Sequence, residues 1–351
     1  MQVGAVTRRV ANWRGQATLD NGGNDGLYPE HYLVAVPEGA SGIIDIADSG
    51  TQNNDRLVIT GTPFADQFTL DTEGLGGNVA NSSGNFPGEL TGTIAASELA
   101  TTPTIVDSEV TTTRISHRAI EFVEIDTRAG NDTVDVHAAH TQITINTGNG
   151  DDTVNLGNRA GIGATANFAG LNAINAQVII RGQGSGDKDV LNADDSNDTT
   201  ANYGTLTSTT IRNGVAGATS ILLMGANGAI TYDGFEVLNV SLGSVGNVFT
   251  IESTHAGPSV TTLTSSGGND VINIETIAGP TTVSTGAGSD TVRVGSTTGS
   301  VGAVDGLLDP FDSKLNAGTT ALIAARLTIA GDNGVTDTLK VYDNGDSTPE
   351  N

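Results

Sequence analysis

One short stretch of this chain is written four times, and its spacing leaves few folds open. It reads Ala129-Gly130-Asn131-Asp132-Thr133-Val134-Asp135-Val136, then Asn149-Gly150-Asp151-Asp152-Thr153-Val154-Asn155-Leu156. It returns as Gly267-Gly268-Asn269-Asp270-Val271-Ile272-Asn273-Ile274 and as Ala287-Gly288-Ser289-Asp290-Thr291-Val292-Arg293-Val294. Each copy is a glycine turn, an aspartate, then apolar residues at alternate positions. Glycine permits the positive φ of a tight turn, and a period of two marks a strand with one buried face.

The copies come in pairs 20 residues apart: 152 − 132 = 20 and 290 − 270 = 20. The apolar positions keep the same register. Val123 matches Ile143, Ile125 matches Ile145, Val134 matches Val154, Leu263 matches Val283, and Ile272 matches Val292. A unit of this size cannot bury its apolar face alone and must stack on its neighbours. The expected fold is therefore all-β: a parallel β-solenoid of roughly 20-residue coils. Tandem β-sandwich domains, with the repeats as strand pairs, are the alternative.

The balance of 40 acidic against 15 basic residues gives a formal charge of −25. Such acidity argues against nucleic acid, which needs a basic surface, and suits hard cations. With 36% hydrophobic residues the chain is too apolar for a disordered acidic tail. There is no cysteine, hence neither disulfide nor thiolate metal site. No apolar run approaches a membrane span, and the basic start, MQVGAVTRRVANWRG, lacks the apolar core of a signal peptide. The expectation is a segment of a longer extracellular or cell-surface chain.

Three divisions are expected: residues 1–40 as an N-terminal cap or linker, 41–198 as a first superunit and 199–351 as a second. The link between the superunits is a longer echo. Asp189-Val190-Leu191-Asn192 resembles Asp337-Thr338-Leu339-Lys340, 337 − 189 = 148 residues on. Val3 to Trp13 reads as a strand or short helix, and Asp20 to Gly26 as an oxygen-rich turn. Residues 74 to 103 read as a surface excursion, Asn158 to Asn175 and Ser300 to Ala325 as loops, and Asn316 to Arg326 as a short helix.

The candidate functional residues are the repeated aspartates: Asp132, Asp152, Asp270 and Asp290, with Asp189 and Asp337 as degenerate copies and Asp151 beside one of them. Stacked coils bring such carboxylates near one another, because paired strands lie about 4.8 Å apart. Like charges that close repel unless protonated or bridged. A calcium ion taking oxygens from carboxylates and turn carbonyls would bridge them. The competing reading is turn capping, in which each aspartate bonds nearby backbone; Asn247 in place of one aspartate is compatible with it.

Thr147-Gly148-Asn149-Gly150-Asp151-Asp152-Thr153-Val154-Asn155 resembles the glycine- and aspartate-rich nonapeptide of RTX (hemolysin-type) calcium-binding proteins, and Thr285 to Arg293 matches nearly as well. The resemblance implies Ca2+ as ligand, with Asp132, Asp152, Asp270 and Asp290 as carboxylate ligands. Gly130, Gly148, Gly150, Gly268, Gly286 and Gly288 would shape the turns. RTX arrays repeat the nonapeptide back to back, whereas each coil here has one such turn. The longer pattern is similar to repeats of very large bacterial surface and secreted proteins.

Elsewhere the signals are plainer. His137 and His140 read as a solvated turn, and the threonine rows Thr261-Thr262 and Thr281-Thr282 as outward-facing strand residues. No nucleophile–base–acid pattern, Walker loop or zinc spacing appears. The functional expectation is non-enzymatic: a calcium-stabilised structural or adhesive repeat segment. Its partners would be neighbouring repeats, copies of itself or surface glycans, with no nucleic acid and no membrane insertion. A carbohydrate-active β-helix enzyme and a self-assembling filament subunit are the alternatives.

Overall fold

The computed structural model describes residues 6–10, 15–20, 30–35, 42–47, 55–73, 91–98, 112–118, 120–157, 170–184, 186–214, 222–257, 259–295, 320–331 and 336–342. These form two compact units: residues 1–155 with 173–189, and 156–172 with 190–351.

The first unit begins with β1 (Val6–Val10), β2 (Gly15–Asp20), β3 (Glu30–Ala35), β4 (Gly42–Ala47) and β5 (Arg56–Thr60). It continues through β6 (Asp66–Glu73), β7 (Thr91–Glu98), β8 (Thr112–Arg118) and β9 (Phe122–Asp126). β10 (Thr133–Val136), β11 (Gln142–Gly148), the first three residues of β12 (Thr153–Gly157) and β13 (Gln177–Gly182) complete it. The chain alternates between two sheets. One has the order β1-β3-β5-β9-β11-β13, the other β2-β4-β8-β7-β6-β10-β12. The strands pair in parallel, except that β7 runs antiparallel between β6 and β8. A chain that visits two parallel sheets by turns is winding, one strand of each sheet per coil. That is a parallel β-solenoid, and the parallel pairing sets it apart from a sandwich built of strand pairs.

The second unit comprises β14 (Val190–Asp194), β15 (Tyr203–Leu206), β16 (Thr210–Asn213), β17 (Ala229–Asp233), β18 (Val237–Leu242) and β19 (Val248–Ile251). Then come β20 (Val260–Ser265), β21 (Val271–Ile274), β22 (Thr281–Ser284), β23 (Thr291–Val294), β24 (Leu327–Ala330) and β25 (Thr338–Val341). Its sheets have the orders β17-β16-β15-β19-β21-β23-β25 and β14-β18-β20-β22-β24. They are parallel apart from β16, which runs antiparallel to both its neighbours. Each unit thus accommodates one excursion by folding a strand back into the sheet.

The repeat register of the sequence is the pairing register of the strands. Val123 pairs with Ile143 and Ile125 with Ile145; Leu263 pairs with Val283; Ile272 pairs with Val292 and Ile274 with Val294. The core is built from these columns. Tyr32, Leu57, Val123, Ile143 and Val178 stack across five coils, and Val34, Ile59, Ile125, Ile145 and Ile180 stack beside them, all buried. Burying each large aliphatic side chain contributes about 1.5–3 kcal/mol. No coil is stable without the next, because each side chain is covered by its counterparts above and below.

Several expectations change. Residues 91–98 of the expected surface excursion form β7, paired along its length with β6 and β8. Residues 320–326 of the expected helix are a turn, with Ile323 bridged to Ile277; residues 316–319 lie outside the described residues. Val6–Val10 is a strand rather than a helix, and residues 21–29, which hold most of the oxygen-rich turn, lie outside the described residues. Of the threonine rows, Thr262 and Thr282 are half-exposed, but Thr261 and Thr281 are buried partners in the column. His137 is buried and His140 half-buried, so their turn is packed rather than solvated.

Candidate functional site

The repeated aspartates stand at one corner of the coil, where the turn enters the strand. There the backbone N–H falls outside the strand ladder, yet it is buried and requires a partner. The next coil supplies one. In the first unit the Asp66 amide donates to Asp132 Oδ1 at 2.6 Å, the Asp132 amide to Asp152 Oδ1 at 2.7 Å, and the Asp152 amide to Asp189 Oδ1 at 2.9 Å. In the second unit the Asn202 amide donates to Asn247 Oδ1 at 3.1 Å and the Asn247 amide to Asp270 Oδ1 at 2.6 Å. The Asp270 amide donates to Asp290 Oδ1 at 2.9 Å and the Asp290 amide to Asp337 Oδ1 at 3.1 Å. Each acceptor side chain thus bonds the backbone of the preceding coil, and Asn247 in addition donates from Nδ2 to the Gly243 carbonyl of its own turn at 3.0 Å.

Backbone bonds run beside several of these clasps. The Thr153 amide donates to the Asp132 carbonyl, Val271 to Asn247, Thr291 to Asp270 and Thr338 to Asp290, all at 2.8 Å. Asp132, Asp152, Asp270 and Asp290 are at most 2% exposed; Asp189 is buried as well, and Asp337 is exposed.

A second row lies outside the first and points the other way. The Asp151 amide donates to Asn131 Oδ1 at 3.1 Å, the Lys188 amide to Asp151 Oδ1 at 2.8 Å, and the Ser289 amide to Asn269 Oδ1 at 2.9 Å. Beside them the Gly150 amide donates to Asp187 Oδ2 at 2.8 Å, in the same sense as the inner row. The sequence reading passes over Asn131 and Asn269, though it holds their signal: a residue with a side-chain acceptor directly before the aspartate.

The glycines let the coils approach this closely. Gly150 (φ 129°) and Gly288 (φ 155°) lie where a Cβ would strike the carbonyl oxygens of Gly130 and Gly268, one coil away. The other four turn glycines, at 130, 148, 268 and 286, also have positive φ.

Burial raises the carboxyl pKa values. Asp152 is pushed up to about 7 and Asp132 to about 6, chiefly by desolvation, against the opposing pull of the amide each accepts. Asp270 is raised for the same first reason. The second oxygen, Oδ2, is buried without a well-aligned bond in Asp132, Asp152, Asp270 and Asp290. A rotatable hydroxyl lies close to three of these carboxyl groups: Thr127 to Asp132, Thr147 to Asp152 and Ser265 to Asp270.

Calcium takes six to eight oxygens. At the inner corner Oδ1 of each carboxylate is committed to an amide. Among the described residues, no group of three or more His, Asp or Glu side chains is placed to hold a metal ion. The carboxylates open to solvent are exposed Asp151 and part-exposed Asp187 of the outer row and exposed Asp337 of the inner row.

The first ladder residue of the second unit is itself held by a carboxylate cluster. Asn202 Nδ2 donates to Asp195 Oδ2 at 2.7 Å and to Asp198 Oδ2 at 2.6 Å, and the Leu171 amide donates to Asp195 Oδ1 at 2.8 Å. Desolvation pushes Asp195 up to about 7. For Asp198 burial acts against the charge, but bonds from Asn202, Thr200 and Asn172 outweigh it and hold the pKa below its ordinary value. The neighbours Asp194 and Asp195 thus part ways: Asp195 accepts from Leu171 and Asn202, and Asp194 accepts from the Ser196 amide.

Compared with known proteins, the chain matches no family model, no curated protein and no solved structure. The resemblance to RTX repeats accordingly rests on the turn motif alone.

Proposed function

We propose that the chain is a non-catalytic structural segment of a large extracellular protein, in which carboxylate–amide ladders hold successive β-coils in register. One observation carries this reading: in both units the residue at the same corner position spends its side chain on the amide of the coil before it. Such a bond adds nothing within one coil. It acts only between coils, so it resists unstacking, which is the failure mode of a solenoid.

Calcium enters as a second reading, favoured by the reachable oxygens of Asp151 and Asp187 and by the charge of −25. A divalent counter-ion on the outer row would relieve repulsion between coils and bind in the roughly millimolar range typical of extracellular modules. A thermal melt by circular dichroism, in EGTA and then across a calcium titration, tests both. A folded β spectrum in EGTA supports the ladder as sufficient, with any gain on added calcium assigned to the outer row. A chain that is unfolded in EGTA and folds only with calcium would overturn the ladder reading.

A further inference from the structure

Away from the corner, the outer face of one sheet in the first unit holds an open groove of about 420 Å³. Register explains its lining. His31, Arg56, Phe122 and Gln142 pair in sequence across β3, β5, β9 and β11, forming one row; Glu124 and Thr144 pair in the next. With strands about 4.8 Å apart, four strands give a trough roughly 14 Å long. Its volume falls within the usual range for small-ligand sites of about 300–1,000 Å³.

The polar groups are fixed before any ligand arrives. Arg56 forms an ion pair with Glu124 Oε2. Asn146 Nδ2 donates to Glu124 Oε1 at 3.1 Å, and Arg181 Nη1 donates to Asn146 Oδ1 at 3.1 Å. This relay crosses four strands and leaves the Arg56 side chain 45% exposed. Preorganised side chains lose little further entropy on binding. The half-buried Phe122 ring gives the trough an apolar floor.

The chemistry narrows the occupant. An extended peptide adding as a strand needs a free sheet edge, and β5 and β9 are each paired on both sides. Phosphate and nucleic acid are opposed by Glu124 in the trough and by the net charge of −25. We infer that this groove is a binding site for an uncharged carbohydrate chain. The C–H face of a sugar ring lies on Phe122, and its hydroxyls exchange hydrogen bonds with Arg56, Glu124, Gln142 and Thr144. The site is independent of the ladder.

The test is amide NMR of the full chain titrated to millimolar concentration with four neutral hexasaccharides: β-1,4-glucose, α-1,4-glucose, β-1,4-mannose and β-1,4-N-acetylglucosamine. An oligogalacturonate serves as the acidic counterpart. At least one neutral chain shifts the amides of Phe122, Gln142 and Thr144, with little change between low and high salt. Phe122→Ala, at an outward-facing position, weakens that binding about tenfold, and Gln142→Ala weakens it severalfold, both with the melting temperature retained. Absence of shifts with every neutral chain overturns the inference. So does binding of the acidic chain alone, or undiminished binding by a folded Phe122→Ala protein.

Discussion

The amide of Asp132 donates to the Oδ1 of Asp152, 2.7 Å away and twenty residues later in the chain. Removing the acceptor leaves a buried N–H without a partner. Asp152→Ala should therefore cost about 2–3 kcal/mol and lower the melting temperature by several degrees. Asp152→Asn keeps an acceptor oxygen, as Asn247 does at the equivalent place in the second unit, and should stay within about 1 kcal/mol of the parent. Chemical denaturation of the two variants checks the contrast.

Stability should rise on mild acidification. The sign follows from the direction of the shifts. Asp152 and Asp132 titrate at about 7 and about 6 when folded, against an ordinary value of 3.8. Between those limits the folded chain binds more protons than the unfolded one, so the free energy of unfolding falls as pH rises. This contribution is complete below about pH 4 and lost by about pH 7. Melting temperatures read at pH 8, 7, 6 and 5 should climb, and Asp152→Asn should flatten the climb.

Arg128 has φ of +78°, a conformation that costs a residue with a side chain about 1–2 kcal/mol. One coil on, the same place is taken by Gly148, at φ +87°. Arg128→Gly should stabilise the first unit by roughly 0.5–1 kcal/mol, since relief of strain exceeds the added freedom of the unfolded chain. Gly150→Ala should do the reverse, costing more than about 2 kcal/mol, because its Cβ meets the Gly130 carbonyl. Parallel melts of the two variants read both signs.

A cavity in the stacked column should be severe. Ile145 is fully buried between Ile125 and Ile180, so Ile145→Ala should cost about 2–5 kcal/mol. Val58 lies one residue from the same column on the half-exposed face, and Val58→Ala should cost under about 1 kcal/mol. Urea denaturation of the two variants reads the difference.

Much of the fold is legible in the sequence, because a stacked coil writes its register as a period. The 20-residue spacing alone makes Val123 a partner of Ile143 and Ile272 a partner of Val292, and the strands pair that way. The repeated aspartates stand out as a site for the same reason. What they bond does not. A local cap and a bond to the neighbouring coil use the same Gly-Asp-strand pattern, and only the folded chain shows that the acceptor serves an amide 20 residues earlier. β7 and β16 escape sequence reading because a strand folded back into a sheet breaks the period that reveals the others. Thr261 and Thr281 look like surface because threonine suits either face of a strand.

The most direct measurement is hydrogen exchange at the amides of Asp132 and Asp270, in EGTA, for the parent chain and for Asp152→Ala and Asp290→Ala. The ladder account predicts strong protection of both amides without any metal, and selective loss of protection at Asp132 in the first variant and Asp270 in the second. Rapid exchange of these amides in EGTA, with protection appearing only on addition of calcium, would contradict it.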